Sequence, residues 1–147
     1  MNQGFDGCGQ VRCILAGASL LAILMVEPGL AAERCPLPGQ KDMLLVKLYF
    51  GQSLPGGHTV QPRDWARFLS TAVTPRFPDG FTVYDTYGQW MDAKKPKPSH
   101  ERSKVVEIAA PDSLAVRTAI TDIARRYREI FHQQSVGIVT SSSCAAF

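Results

Sequence analysis

The polar residues that could do chemistry lie in three short stretches of this sequence, each beside an apolar run. They are Gln89, Trp90, Glu101, Ser103, Gln133 and Ser135. A carboxylate among amides and hydroxyls can act as a general base while its neighbours orient a substrate. The same groups can bind a small molecule without chemistry, or hold strand ends together as a hydrogen-bond network. Glu101 is therefore the candidate catalytic residue, and all six are candidate binding residues.

Other chemistries find less support in the sequence. Ser103 and Lys104 resemble a Ser-Lys pair, but neighbours on a strand point to opposite faces. Three histidines could ligate a metal together with the carboxylate, but no helix places two of them at the i, i+4 spacing of helical metal sites. They are His58, His100 and His132. We expect neither a metal nor a cofactor.

The composition is that of an ordinary globular protein. The 147 residues are 45% hydrophobic and 20% charged, and this length suggests one domain. The net charge is only +3, and the basic residues are scattered along the chain. Nucleic-acid binders concentrate their basic residues in a patch or stripe, so we expect no nucleic-acid partner.

The first 31 residues have the layout of a secretory signal peptide. Arg12 precedes an apolar run over residues 13–26, and the small residues Ala31 and Ala32 follow. The run is too short to cross a bilayer comfortably, although an uncleaved N-terminal anchor is the alternative. The pattern predicts an exported protein, periplasmic or extracellular, with no permanent membrane span after cleavage.

The cysteines agree with export. Cys8 and Cys13 lie in the signal peptide, which leaves Cys35 and Cys144 at the two ends of the mature chain. Two cysteines in an exported protein predict one disulfide, and the alternative is two unpaired thiols. Closing a loop of about 110 residues could stabilise the fold by up to ~4–5 kcal/mol in the chain-entropy model.

Apolar periodicity predicts four strands and two helices after an irregular lead-in over residues 32–42. The strands cover residues 43–50, 81–90, 102–109 and 136–140. In the second strand, residues 85–88 predict a bulge or bend because they include Gly88. The helices begin near Pro62 and after Asp112, a candidate N-cap. Residues 43–147 thus form a single α+β domain.

The order β-α-β-β-α-β is the split arrangement of ferredoxin-like folds. It predicts a four-stranded antiparallel sheet in the spatial order 4-1-3-2, with two helices on one face. In this order the end of strand four lies beside the start of strand one, which brings Cys144 near Cys35. One end of the sheet also collects the six polar residues into a small pocket, or into a network that pins strand ends and the loop between strands two and three.

The open face of the predicted sheet is too apolar to remain in water. Its residues are Met43, Leu45, Tyr49, Thr82, Tyr84, Val105 and Val139. We predict a homodimer through this face, and the alternative is cover by the lead-in and the C-terminal tail.

Several short motifs carry a resemblance to a known family from about Leu45 to the C terminus. They are Tyr49-Phe50-Gly51, Trp65 with Phe68, Thr74-Pro75-Arg76-Phe77-Pro78-Asp79-Gly80, Thr82-Val83, Asp85, Gly88-Gln89-Trp90, Glu101, Ser103-Lys104-Val105-Val106, Tyr127 with Phe131, and Gln133 with Ser135-Val136. With these motifs the chain resembles a bacterial family of small exported proteins described only as a domain of unknown function. His132 stands where that family commonly has glycine, which weakens any role for its side chain. The resemblance implies the fold and export, and brings no activity with it.

Two classes of function remain open. The first is a cell-envelope binding or structural module that takes a small-molecule ligand or a second copy. The second is a small cofactor-independent enzyme in which Glu101 is the general base. The first is favoured because no set of nucleophile, base and orienting residue can be read from the sequence. A functional Glu101 should lie in a cleft, whereas a structural one should be neutralised by Arg or Lys.

Overall fold

The computed structural model describes residues 35–91 and 96–147, so the predicted signal peptide lies outside the described residues. The elements in chain order are β1 (Lys41–Gly51), α1 (Pro62–Phe68), β2 (Thr82–Met91), β3 (Pro98–Ala110), α2 (Leu114–Phe131) and β4 (Gly137–Ala145). A 3-10 turn over Pro55–Gly57 precedes α1, and a π-helical turn over Leu69–Val73 extends it. No helix in the described part of the chain is long and apolar enough to cross a membrane.

The four strands form one antiparallel sheet in the order β2-β3-β1-β4. This order confirms the predicted ferredoxin-like α+β fold. Alternation along β1 places Val46, Leu48 and Phe50 on the helix side, where all three are fully buried. The two helices contribute their own apolar stripes to the same layer, including Phe68 and Tyr127. The hydrophobic core therefore lies between the helices and one face of the sheet.

An aromatic cluster fills one end of this core. Ring centroids within it lie 4.6 to 6.1 Å apart, mostly edge-to-face or tilted, which is the arrangement that aromatic rings prefer. Its members are Phe50, Trp65, Phe68, Tyr127 and Phe131. The cluster sits directly behind the strand end where the predicted polar residues gather.

The sheet is longer at both chain ends than the sequence predicted. Lys41 and Asp42, expected in the irregular lead-in, belong to β1, and residues 141–145 of the expected tail belong to β4. These ends pair with each other in register, so each supplies the backbone partners that the other needs. Cys35 and Cys144 meet as predicted, with Cα atoms 5.4 Å apart and a disulfide between them.

Two local predictions were wrong. The expected bulge at residues 85–88 is absent, because β2 pairs with β3 in unbroken register from Thr82 to Met91. The N-cap of α2 is Ser113, whose hydroxyl accepts the Val116 N–H at 3.2 Å. Asp112 instead pairs with Arg117 at 2.7 Å, which lowers the pKa of its carboxyl.

His132 ends α2 in a left-handed conformation with φ 52°. Glycine is the residue that adopts this conformation without steric cost at a helix C terminus. A glycine at this position would therefore avoid the steric cost that the histidine bears. This conformation gives no role to the histidine side chain.

Candidate functional site

Three glycines on three strands open a cleft at one end of the sheet. Gly51 ends β1, Gly88 lies in β2, and Gly137 begins β4. A Cβ on Gly51 would lie 2.6 Å from Oε1 of Glu101, and one on Gly137 would lie 3.2 Å from the Cβ of Tyr49. The missing side chains leave a cleft of about 1170 Å³. Gly88 lines the cleft within an unbroken strand, and a Cβ there would make only ordinary contacts, 3.9 Å from the Glu101 carbonyl and from the Ser103 hydroxyl.

All six predicted site residues line this cleft. They are Gln89, Trp90, Glu101, Ser103, Gln133 and Ser135. Further lining comes from Tyr49, Ser53, Lys97, His100 and His132. The structure brings the three predicted stretches to one place, while ligand binding by these residues stays a prediction.

Glu101 is the half-buried carboxylate of the cleft. Its Oε1 accepts a hydrogen bond from the backbone N–H of Ser53 at 2.9 Å, and the carboxyl group lies over Gly51. Among the described residues, no Lys or Arg forms an ion pair with it. By contrast, Glu107 on the same face pairs with Lys47 at 3.1 Å, and this contact raises the pKa of Lys47.

Gln133 contacts the same loop residue as Glu101. Its Nε2 donates to the backbone carbonyl of Ser53 at 2.6 Å and to that of Phe131 at 3.4 Å. Glu101 and Gln133 thus hold opposite sides of Ser53 in the loop after β1. The alternative role was a network that pins strand ends and the loop between strands two and three. These two residues instead pin the loop after β1, and their hydrogen bonds also fix where the carboxylate stands.

A buried polar pair supports this strand end from the core side. The Tyr127 hydroxyl donates to the carbonyl of Gly51 at 2.7 Å and accepts from Nε2 of Gln52 at 2.9 Å. Burial raises the pKa of Tyr127 well above its ordinary 10.0, the hydrogen bond from Gln52 lowers it, and the nearby charge of Glu101 raises it. Gln52 also donates to the carbonyl of Phe50 at 3.1 Å. The end of β1 is therefore held from behind by hydrogen bonds inside an aromatic core.

The other four predicted residues differ in exposure and in the face of the sheet on which they lie. Trp90 is half-exposed on the open face at the rim, two positions along β2 from Gly88. Gln89 is exposed and pairs in register with His100, so strand alternation directs it to the opposite face from Trp90. Ser103 is half-buried, and Ser135 lies exposed between α2 and β4. Glu101 and Gln133 are thus the predicted pair that the structure joins most directly.

Sequence reasoning missed Ser53 and Gln52. Ser53 acts through its backbone N–H and C=O, which every residue but proline carries, so no sequence signal could mark it. Gln52 is a buried polar side chain directly after an apolar strand, and such a residue needs partners. Its position after Gly51 is a weak signal that could have been used.

The histidines give no support to a metal site. His100 stacks on Tyr87 with ring centroids 5.7 Å apart, and His132 ends α2. Within residues 35–91 and 96–147, one group of three ligand-type side chains comes within 4.8 Å of one another, namely Cys35, Asp42 and Cys144. The disulfide already joins both of its sulfur atoms.

Comparisons with known proteins place the chain by family and by fold. Residues 46–147 match the family described as "Protein of unknown function (DUF3574)". No curated protein matches the sequence. Among solved structures, a phage SAM lyase in complex with S-methyl-5'-thioadenosine is similar, with a TM-score of 0.54, 12% identity, and coverage of 71% of this chain and 90% of that chain. A phage SAM lyase in its apo state has a TM-score of 0.50, 15% identity, and coverage of 76% and 94%. At these identities the likeness concerns the fold alone.

Proposed function

Since the chain belongs to the DUF3574 family, whose function is unknown, we propose its function from the cleft itself. The protein is an exported binding module of the cell envelope, and the cleft takes a small ligand that carries a positive charge. Export to the periplasm or the extracellular space is proposed from the signal-peptide pattern, and the disulfide between Cys35 and Cys144 suits an oxidising compartment.

The observation that carries this proposal is that Glu101 has no ion-pair partner among the described residues. Its carboxylate lies in an open cleft with a neutral N–H donor from Ser53, and no basic side chain of the described residues neutralises it. Glu107, on the same face, has Lys47 as its partner. A half-buried carboxylate without a counter-charge attracts a cation, because a charge removed from water needs compensation.

The aromatic residues of the cleft narrow the class of cation. Trp90 and Tyr49 are each more than two-fifths exposed at the cleft, and aromatic faces attract organic cations within about 6 Å of the ring. Hydrated metal ions prefer several oxygen ligands, carboxylates above all, and Glu101 is the single carboxylate among the described residues that line the cleft. We therefore propose an ammonium or sulfonium group as the part of the ligand that Glu101 holds.

A small cofactor-independent enzyme is the second candidate. The fold likeness to lyases that act on S-adenosylmethionine supports it, and Glu101 would then be the general base. The geometry that supports this role is an open cleft in which the Ser53 N–H fixes the position of the Glu101 carboxylate.

Titration calorimetry with a matched ligand pair tests the binding proposal. S-adenosylmethionine carries a sulfonium, while S-adenosylhomocysteine lacks the methyl group and the sulfur's positive charge and keeps the rest of the molecule. We expect the charged probe to bind at least about tenfold more tightly, a difference of ~1.4 kcal/mol, and Glu101→Gln to abolish that preference. Glu107→Gln is the matched control, since it removes an ion-paired carboxylate on the same sheet face that does not line the cleft.

The same titration separates the remaining outcomes. Tetramethylammonium serves as a cation without a nucleoside. If neither it nor S-adenosylmethionine binds, or if Glu101→Gln binds them unchanged, the proposal is wrong. Release of S-methyl-5'-thioadenosine from S-adenosylmethionine by the wild-type protein, lost in Glu101→Gln, would favour the enzyme.

The homodimer predicted through the open sheet face stays a prediction. Tyr49, Tyr84 and Val139 are exposed on that face, which supports it. The cleft opens onto the same face, however, so a second copy seated there would compete with a ligand for Glu101. Val139→Lys should dissociate such a dimer while leaving a ligand-binding monomer.

A further inference from the structure

β2 is an edge strand that contributes nothing to the hydrophobic core. Nine of its ten residues are exposed, and Gly88 is intermediate. Five large apolar side chains on its two faces are between 36% and 67% exposed, namely Val83, Tyr84, Tyr87, Trp90 and Met91. An unpaired strand with apolar residues on both faces is the feature that needs a partner.

β2 also lacks the devices by which proteins protect an edge. Its sequence TVYDTYGQWM contains neither lysine nor proline, and its pairing with β3 has no bulge over ten residues. Its one charged residue, Asp85, is paired with Lys104 of its own chain. The outward row of N–H and C=O groups is thus available to another strand, with no net charge to repel it.

We propose that β2 pairs with β2 of a second copy of this chain. The two strands run antiparallel about a two-fold axis at Tyr87, and the two sheets become one sheet of eight strands. A two-fold contact requires that the same strand segment complement itself, residue by residue.

The sequence of β2 meets this requirement at one register. With the axis at Tyr87, Tyr84 lies opposite Trp90 on the open face of the sheet. On the other face Val83 lies opposite Met91. Each pair occurs twice, and aromatic or apolar residues directly opposite each other are the cross-strand pairs that stabilise sheets.

The neighbouring register is poorer. With the axis at Thr86, Tyr84 lies opposite Gly88, and Val83 lies opposite Gln89. A shift of the axis by one residue therefore leaves both Tyr84 and Val83 without an apolar residue opposite them. The side-chain pattern of the strand selects Tyr87 as the axis.

The other edge of the sheet complements itself less well. β4 has the sequence GIVTSSSCA, with two large exposed apolar residues, Ile138 and Val139. Pairing about its central residue, Ser141, would place Val139 opposite Ser143. The β2 edge is therefore the contact that this chain supports best.

The edge contact differs from an open-face dimer in its consequence for the cleft. It leaves the open face uncovered, and it places Tyr84 of the second copy opposite Trp90 at the rim of the cleft. Each copy thus completes one wall of the other's site. The inference concerns a separate contact, so it can fail while Glu101 still binds a ligand.

Cysteine cross-linking tests the axis. Tyr87→Cys places two thiols opposite each other on the axis, so oxidation of the purified exported protein should yield a covalent dimer on a non-reducing gel. Thr118→Cys, on the exposed side of α2, is the matched control and should remain a monomer under the same conditions. Equal cross-linking of the two variants would overturn the proposal.

Charge substitutions test the register by sedimentation equilibrium. Val83→Lys alone and Met91→Glu alone should each weaken the dimer at least about tenfold, because symmetry repeats the loss at two places. The double variant should recover most of that loss, since the two new charges meet only across the interface. Val83 and Met91 lie eight positions apart on one strand, so they cannot pair within a chain.

Three results would overturn the edge contact. One is a protein that stays monomeric at every concentration. Another is a dimer that resists both charge substitutions and dissociates on Val139→Lys, which would place the contact on the open face. The third is a double variant as weak as the sum of the single ones. Circular dichroism of each variant separates misfolding from dissociation.

Discussion

The two sides of Gly51 at the end of β1 differ in burial and in exposure to solvent. On the core side its carbonyl accepts the Tyr127 hydroxyl, within a closed aromatic cluster. On the other side its missing Cβ leaves room for the carboxyl group of Glu101, in a cleft open to solvent. One residue at the end of β1 thus separates a region that holds the fold from a region that can hold a ligand.

The comparison shows how a small domain can keep stability and chemistry apart. On the core side, polar groups are fully satisfied, and no buried side-chain polar atom of the described residues lacks a partner. On the cleft side, Glu101 has one neutral donor and no counter-charge from that part of the chain. Substitutions on the two sides should therefore change different properties.

The largest effect on stability should come from the aromatic core. Phe50→Ala removes a fully buried ring that contacts Trp65, Phe68 and Tyr127. We expect a loss of ~3–5 kcal/mol in the free energy of unfolding, measured by urea denaturation. Ile130→Ala, at an exposed position of α2, is the control. Equal losses in the two variants would contradict the assignment of the core.

A smaller effect should follow from the hydrogen bond behind Gly51. Tyr127→Phe leaves the Gly51 carbonyl and the buried Gln52 amide without this partner, which should cost ~1–3 kcal/mol. The wild-type protein should also lose stability as the pH rises above about 10, because the unfolded phenol ionises there while burial keeps the folded one protonated. Denaturation between about pH 9 and pH 11 should show a shallower fall in the variant than in the wild type.

His132→Gly should stabilise the protein slightly. The residue has φ 52°, where glycine avoids the steric cost of a side chain. We expect a gain of ~0.5–1 kcal/mol, reduced by the greater freedom of glycine in the unfolded chain. Ligand affinity should be unchanged, because the proposed ligand contacts are Glu101, Trp90 and Tyr49 and not the imidazole. A destabilised variant would mean that the histidine has a structural role.

Gly51→Ala should have the smallest effect on stability and a large effect on binding. The new Cβ would meet the Glu101 carboxyl at 2.6 to 2.9 Å, and this flexible group can move aside. We expect a change within ~0.5 kcal/mol in the free energy of unfolding, as at other surface positions. Binding of S-adenosylmethionine should fall at least about tenfold, since the displaced carboxylate leaves its place in the cleft. Unchanged binding would contradict the claim that the cleft side of Gly51 positions Glu101 for ligand binding.

Much of the fold could be predicted from the sequence, because apolar periodicity fixes element type and order. The split β-α-β-β-α-β order then gave the strand neighbours and the meeting of Cys35 with Cys144. Register could not be predicted, since it depends on pairings between distant segments. For this reason the sequence predicts a bend at Gly88, whereas the structure pairs Gly88 with Glu101 in unbroken register.

The candidate site was predictable as a set of residues and not as a geometry. Alternation and topology placed Glu101 and Gln133 at one end of the sheet. Their joint contact with Ser53 depends on loop backbone atoms that leave no trace in the sequence. The separation of Gln89 from Trp90 also follows from strand pairing, which sets the face of each side chain.

Native mass spectrometry of the purified protein, without reduction, is the first measurement to make, because it shows directly whether Glu101 holds a small ligand in the cleft. We expect a small molecule bound to the wild type and to Glu107→Gln, and absent from Glu101→Gln. The spectra also report the dimer, so the ligand and the edge contact are read independently. Two results would contradict the proposed role of Glu101. One is a ligand retained by Glu101→Gln. The other is a wild type that carries no ligand and takes up neither added S-adenosylmethionine nor tetramethylammonium.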